Sequence, residues 1–308
     1  MQGTLHITDR NYCYFAVWSP TEFHYERVER NAAVWREMFP QLQECYHTHI
    51  LEGRWAEPDL GEEEQEAGRQ AVLASLACTP ARAAAIEEET RGQAENMEWA
   101  AQRSKRLTAS NFGRVGKMRS STSCQSTVTG LLYPASLAGL PALEWGRQHE
   151  PAALVQLARL LNTEIKPCGL FVEAGRGLLA ASPDGLVGED AVVEVKCPSR
   201  CQDRPIRAVA ESDSSFCLEI SRHTGRLGLR RGHDYYYQVQ GQMALTGRAC
   251  CHFFVWSPED HFLETVEFDP EFWAGLQVKL NSFYLDCLLP ELADPRAPRG
   301  RPVRDLRR

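Results

Sequence analysis

Ser182-Pro183-Asp184-Gly185, followed by Glu194-Val195-Lys196, is the stretch whose reading decides the fold. Residues 177–182 read as a strand that stops at Pro183, and Ala191 to Lys196 (AVVEVK) reads as the next strand, because Val-rich alternation favours extended chain. Side chains at i and i+2 of a strand share a face. Glu194 and Lys196 therefore project together while Val193 and Val195 project oppositely, and the short turn between the strands brings Asp184 near Glu194. Two carboxylates and an ammonium side by side make a candidate cation site with a base beside it.

Hydrolysis of a phosphodiester brings an anionic backbone to a nucleophile, and a divalent cation neutralises that charge and polarises the oxygens. Hard oxygen ligands such as Asp184 and Glu194 suit Mg²⁺ or Mn²⁺, which keep waters in their remaining positions. Lys196 beside such an ion could orient the attacking water, and the cation would favour a lowered lysine pKa. The same residues also fit an ordinary hairpin, with Pro, Asp and Gly as turn formers and Glu-x-Lys as a solvated pair. Their neighbours separate the two readings. Trp145-Gly146-Arg147-Gln148-His149-Glu150 opens a helix upstream, and Tyr235-Tyr236-Tyr237-Gln238-Val239-Gln240 lies on another downstream.

From about Arg103 to Leu289 the chain resembles the YqaJ-type viral recombinases, the phage lambda exonuclease branch of the PD-(D/E)XK nucleases. The resemblance is carried in order by Thr108-Ala109-Ser110, WGRQHE ending at Glu150, SPDGL from Ser182, VEVKCP from Val193 and YQVQ from Tyr237. It implies an α/β, restriction-endonuclease-like core with a mixed central sheet flanked by helices. It implies that Asp184, Glu194 and the main-chain carbonyl of Val195 hold the metal, that Glu150 completes the acidic cluster, that Lys196 serves the attacking water and that Gln238 closes the site. It also implies a pocket for a terminal 5′-phosphate at Arg103, Ser110, Ser182 and Gln238. The residues agree in part, since Thr108 and Ser110 are capping types at the start of a short helix, and helix N-termini with a nearby arginine bind phosphate. A simple capped helix is the competing reading.

The activity so implied is metal-dependent exonucleolytic hydrolysis of duplex DNA from 5′-phosphorylated ends, in recombination or repair. The alternatives are an endonuclease using the same site and a noncatalytic DNA-binding or interaction module. The family's ring-shaped homotrimer is implied too. Pro151 directly follows Glu150, so the segment from Pro141 to Leu161 is expected to kink or restart there, and Glu150 could serve as an N-cap instead of a ligand. Tyr235, Gln238 and Gln242 fall on one helix face, with Val239 and Met243 on another.

A chain of 308 residues with 43% hydrophobic content can build a substantial core. No apolar run reaches the ~18 residues that span a bilayer, and no basic and apolar leader opens the sequence. Eleven cysteines, odd in number and irregularly spaced, fit reduced thiols in nucleus or cytoplasm better than a disulfide framework, and Cys197 with Cys201 lacks the second pair a zinc site needs. The net charge of -7 hides an uneven distribution. Arg103, Lys105, Arg106, Arg114, Lys117 and Arg119 form one basic run, and Arg222, Arg226, Arg230 and Arg231 another, both flanking the candidate site as a track for a DNA duplex would.

Residues 2–46 align without gaps to 240–284 with 16 identities, including Gln2-Gly3 with Gln240-Gly241 and Val17-Trp18-Ser19-Pro20 with Val255-Trp256-Ser257-Pro258. This density points to duplication. Residues 1–53 are then a truncated copy without an SPDG or a Glu-x-Lys, which either packs Tyr12, Tyr14, Ala16 and Trp18 against the nuclease core or is a poorly ordered remnant. Residues 54–80 read as an acidic linker, 81–292 as the nuclease domain, and 293–308 as a basic Pro- and Arg-rich tail expected to be disordered.

Overall fold

The computed structural model describes residues 1–51, 60–134 and 140–307, and the chain divides into two compact units, Met1–Leu60 and Gly61–Arg308. The first unit runs α1 (Gln2–Ile7), β1 (Tyr12–Trp18), β2 (Phe23–Glu29) and α2 (Ala32–Cys45). The second opens with α3 (Glu62–Leu76), α4 (Pro80–Glu89), α5 (Met97–Ser104), β3 (Leu107–Thr108), α6 (Phe112–Gly116), α7 (Gln125–Leu132) and α8 (Pro141–Leu161). It continues through β4 (Phe171–Val172), β5 (Leu179–Ala181), β6 (Gly185–Val187), β7 (Ala191–Lys196), α9 (Ile206–Ser212), β8 (Leu218–Ile220) and β9 (Leu227–Leu229). It closes with α10 (Asp234–Thr246), β10 (Cys250–Trp256), β11 (His261–Glu267), α11 (Pro270–Phe283) and α12 (Leu289–Ala293).

Four strands make the central sheet of the second unit, in the order β11-β10-β7-β6. β7 is parallel to β10, with Phe253 beside Glu194, and antiparallel to β6, with Gly185 beside Val193. The sheet is mixed because a hairpin feeds β6 into β7, whereas α10 carries the chain across to β10, as a parallel crossover requires. β7 is buried on both faces. Val192 joins Val239, Met243 and Phe253 on the α10 side, and Val193 and Val195 join Ala153, Leu157 and Phe254 on the α8 side. A smaller sheet, β3-β5-β4, lies within the same unit, with Thr108 beside Ala180.

Three expectations are corrected. Residues 62–76 are a helix, not linker: the Glu64 side chain accepts from the Gly61 amide and three glutamates occupy its first turn, where the helix dipole favours them. Pro151 does not restart its segment; α8 continues from Pro141 to Leu161, because packing of Ala153 and Leu157 against the sheet outweighs one missing amide. The basic tail is ordered. Val303 is buried in the core, its amide donates to Gln125 Oε1 at 3.1 Å, and Arg304 pairs with buried Asp294 at 2.5 Å. Residues 52–59, inside the expected end of the truncated copy and the start of the linker, lie outside the described residues.

The first unit repeats residues 240–284 in detail. Tyr12 pairs with Glu29 as Cys250 pairs with Glu267, and each later pair keeps the same offset. Gln2 bonds the Glu29 carbonyl and the Asn31 amide, as Gln240 bonds the Glu267 carbonyl and the Asp269 amide. Asn31 and Asp269 cap the helices that follow. Tyr12, Tyr14, Ala16 and Trp18 are exposed. No helix among the described residues is long and apolar enough to cross a membrane.

Candidate active site

The Pro183-Asp184-Gly185 turn is held from outside. Gln93 Nε2 donates to the Pro183 carbonyl at 2.8 Å, and a Cβ on Gly185 would lie 2.3 Å from Ile165, so only glycine fits. The turn delivers Asp184 to the edge of β7, where its Oδ2 accepts the Val195 amide at 2.6 Å. Pleating of β7 does what the alternation predicts. Glu194 and Lys196 emerge together, with Lys196 Nζ 2.5 Å from Glu194 Oε1.

Glu194 is 1% exposed and receives two more donors from α10, Gln238 Nε2 on Oε1 at 2.6 Å and Gln242 Nε2 on Oε2 at 2.5 Å. One turn separates the two glutamines, so both reach the same carboxylate. A charge taken this far from water needs such bonds. Lys196 Nζ also lies 4.5 Å from the centre of the Tyr235 ring. Burial opposes the Lys196 charge, yet Glu194, Tyr235 and Asp184 more than offset it and hold the ammonium above the usual lysine range. The cause is an anion within hydrogen-bonding distance.

Burial pushes Asp184 well above the usual carboxylate range, and Glu194 adds to the push. Glu150 on α8 moves the same way for the same two reasons, burial first. It lines, with Arg147, Val195, Lys196, Arg200 and Tyr235, a cleft of about 410 Å³. Acids driven toward their neutral forms describe a site short of positive charge, and their hard oxygens match a small divalent ion. The donor set therefore fits the implied metal. Among the described residues the three carboxylates are not all within 4.8 Å of one another; Glu194 is turned to Lys196 and the glutamines while Asp184 is held by the Val195 amide. The group that does is Cys124, Cys287 and Asp305, but Arg307 takes both oxygens of Asp305, at 2.8 and 2.7 Å.

Two of the residues expected at a phosphate pocket, Ser182 and Arg103, meet at Trp99. Trp99 Nε1 donates to Ser182 Oγ at 2.9 Å, and the Arg103 guanidinium stacks on the same indole, 4.1 Å from its centre. Burial pushes the Arg103 pKa down. Gln238 is committed to Glu194. Ser110 is exposed, its hydroxyl 3.3 Å from Thr108 Oγ1, and neither residue makes a side-chain cap, so the expected capped helix is replaced by a single 3-10 turn leading into five residues of α6. The basic runs are partly consumed by the fold: Arg106 is buried against the Gly177 carbonyl, Lys117 pairs with Asp234 at 2.6 Å, Arg230 pairs with Glu219, and Arg231 with Asp269. Spacing alone puts Gln242 on the same helix face as Gln238, but its grip on Glu194 depends on the packing of α10 against β7.

Residues 98–249 match the family model of the YqaJ-like viral recombinase domain, a span that holds every candidate site residue. The chain is similar to the crystal structure of an alkaline exonuclease, LHK-Exo, from Laribacter hongkongensis, at 25% identity and a TM-score of 0.50, covering 66% of this chain and 97% of that one. LHK-Exo in complex with dAMP matches at 23% identity and 0.50, over 66% and 96% of the two chains, and speaks to the fold. No curated protein sequence matches the chain. Shared motifs, a mixed sheet carrying Asp184 and the Glu194-Lys196 pair on adjoining strand ends, and these likenesses agree: the chain carries a YqaJ-like viral recombinase domain with the PD-(D/E)XK exonuclease fold.

Proposed function

We propose that this chain is a metal-dependent exonuclease that hydrolyses duplex DNA from 5′-phosphorylated ends, in recombination or repair. The observation that carries the reading is the buried Glu194 carboxylate, gripped by Lys196, Gln238 and Gln242 with Asp184 on the adjoining turn. Asp184, Glu194, Glu150 and the Val195 carbonyl would hold Mg²⁺, with Mn²⁺ as a substitute. Such an ion neutralises the scissile phosphate and acidifies a bound water. Lys196, charged and fixed by Glu194 and the Tyr235 ring, donates to the attacking water or to the developing phosphorane oxygens. Gln238 and Gln242 keep Glu194 in one rotamer, so the site is oriented before substrate arrives.

Ser182 and Arg103, coupled by Trp99, form with Ser110 and Gln238 the receptor for the terminal phosphate. The acting form would be a homo-oligomer, a trimer by family likeness, in the nucleus or cytoplasm. Stacking of Arg103 on Trp99 also favours a second reading, an endonuclease for which that arginine is structural. The test is degradation of a linear duplex bearing 5′-phosphate or 5′-hydroxyl ends, in Mg²⁺ and Mn²⁺, by wild type, Lys196→Ala and Arg103→Ala. Faster loss from phosphorylated ends, abolished by Lys196→Ala and made end-indifferent by Arg103→Ala, is the expected result. Cleavage of closed circles unaffected by Arg103→Ala would support the endonuclease, and binding without cleavage would overturn both.

A further inference from the structure

The basic run of Arg222, Arg226, Arg230 and Arg231 is divided in two by the fold. Arg230 and Arg231 follow β9 and are tied to Glu219 and Asp269. Arg222 and Arg226 lie in the tip between β8 and β9, both exposed, and among the described residues neither side chain has a hydrogen bond or an ion pair. The tip itself is fixed. The Ser221 amide donates to the Arg226 carbonyl and the Gly225 amide to the Ser221 carbonyl, both at 2.8 Å, while Ser221 Oγ accepts the Thr224 amide at 3.2 Å. Gly225 takes a φ of +65°, the left-handed conformation that glycine adopts freely. Below the tip, Leu218 and Leu229 are buried with Val239 and Phe253, and Glu264 accepts the Leu229 amide at 2.6 Å. A stem anchored in the core thus holds two uncompensated guanidinium groups in water.

Two sets of contacts place this tip beside the candidate site. Phe216 and Cys217, which lead into β8, and His233, which follows β9, line the cleft with Glu150 and Lys196. Lys196 lies beside Val255 near the end of β10; in the turn that follows, Asp260 accepts the Ile206 amide at 2.8 Å, and the next residue, Arg207, donates to the Gly225 carbonyl of the tip at 3.2 Å. The hairpin therefore stands at the end of the sheet where Lys196 emerges. We propose that the β8–β9 tip grips the phosphate backbone of the duplex being degraded, about five base pairs from the scissile bond, an inference that rests on the reading of the cleft as a DNA nuclease site. The span follows from the chain, since Arg222 is five residues beyond Cys217. At about 3.3 Å per residue that is about 17 Å, against a rise of about 3.4 Å per base pair. Charge favours the assignment. The whole chain carries -7, so attachment to a polyanion depends on local cations, and Arg222 and Arg226 offer the forks that phosphate oxygens accept. Residues 221–226, SRHTGR, hold no apolar side chain of the kind that centres a protein interface.

The test compares wild type with the double variant Arg222→Ala/Arg226→Ala, two exposed changes, by anisotropy on a labelled linear DNA duplex in Ca²⁺ over a range of salt. The variant should bind roughly tenfold or more weakly, and the slope of log affinity against log salt should fall by about 2. Arg222→Lys/Arg226→Lys, which keeps the charge, should restore most of that slope. Neutral methylphosphonates placed about five base pairs from the duplex end should weaken wild type and leave the alanine variant unmoved. An alanine variant with wild-type affinity and slope, or a methylphosphonate effect that both proteins share, overturns the proposal. A tighter grip on an RNA duplex that the alanine variant loses would overturn it in favour of RNA. The nuclease reading fails separately, by absence of cleavage in Mg²⁺ and Mn²⁺ while duplex binding through the tip persists; a wild type that binds no duplex overturns both.

Discussion

Residues 2–46 and 240–284 are one local design in two surroundings. Both make the hairpin in the same register, both close it with Ser19 or Ser257 donating its amide across the turn, at 2.8 and 2.9 Å, and both tie the following helix to the last strand through Gln2 or Gln240. Gly3 and Gly241 each have a tryptophan ring 3.5 Å from where a Cβ would sit, Trp35 in one copy and Trp273 in the other. Yet a Cβ at Gly241 would also meet Phe112 at 2.4 Å, a contact with no counterpart among the neighbours of Gly3. Register, turn and cap are thus set within about 45 residues, while burial is set by elements that only the second copy possesses. The same division separates scaffold from chemistry: β10 becomes part of a site by pairing with β7, which supplies Glu194 and Lys196, and β1 pairs only with β2 among the described strands.

This contrast predicts unequal costs for equal substitutions, read as hydrogen-exchange opening free energies in each hairpin separately. The largest difference belongs to the tryptophans. Trp256→Ala removes a buried ring and strands the Gln156 carbonyl, so amides of β10 should lose about 3–5 kcal/mol. Trp18→Ala should change β1 by no more than about 0.5 kcal/mol. The glutamine brackets come next. Gln240→Ala leaves the Glu267 carbonyl and the Asp269 amide without partners in the interior, about 1–3 kcal/mol, whereas water replaces Gln2 for less than about 1 kcal/mol. Equal losses in either pair would mean that the first copy is buried in solution.

A titration sharpens the same comparison. Glu264 and Glu26 are counterparts, but burial pushes the Glu264 pKa up, with the Leu229 amide at 2.6 Å opposing. A carboxyl whose folded pKa is raised stabilises the fold below its unfolded pKa of about 4.3 and loses that contribution as pH rises through the folded value. Glu264→Gln keeps an acceptor for Leu229, so it should raise thermal stability at neutral pH, with the gain vanishing toward pH 4. A gain that persists into acid at Glu264 would show that ionisation is not its cause.

Much of this was legible in one dimension. AVVEVK, CHFFVW and the Tyr-Gln helix carry their periods openly, and the pleat of β7 places Glu194 beside Lys196 as the alternation requires. What stayed hidden depends on distant chain. Trp99 and Ser182 are 83 positions apart, and nothing local shows that the indole of one positions the hydroxyl of the other. Pro151 obeys its helix-breaking rule in isolation and is overruled by Ala153 and Leu157. Val303 and Arg304 sit in a stretch whose composition reads as disorder, and it is fastened by contacts to distant chain and within itself: buried Val303 with its bond to Gln125, the ion pairs of Arg299 and Arg304 with Asp294, and the bonds of Asp305 and Leu306 to Cys124 and Asp286.

The smallest expected effect is the one that tests where the local design ends. Asn31 accepts the amides of Ala33 and Val34 at 3.0 and 3.1 Å, and Asp269 accepts that of Phe272 at 2.9 Å, each at the start of a 14-residue helix. A cap satisfies donors of its own helix and needs nothing from the surroundings. Alanine at either position should therefore cost the same, about 1 kcal/mol, in the first turns of α2 and α11 alike. Asp269 also pairs with Arg231 at 2.5 Å, but that arginine is well exposed and adds at most about 1 kcal/mol. A cost at Asp269 well beyond that sum would move the cap out of the shared local design and into the group of features that the nuclease core imposes on its own copy.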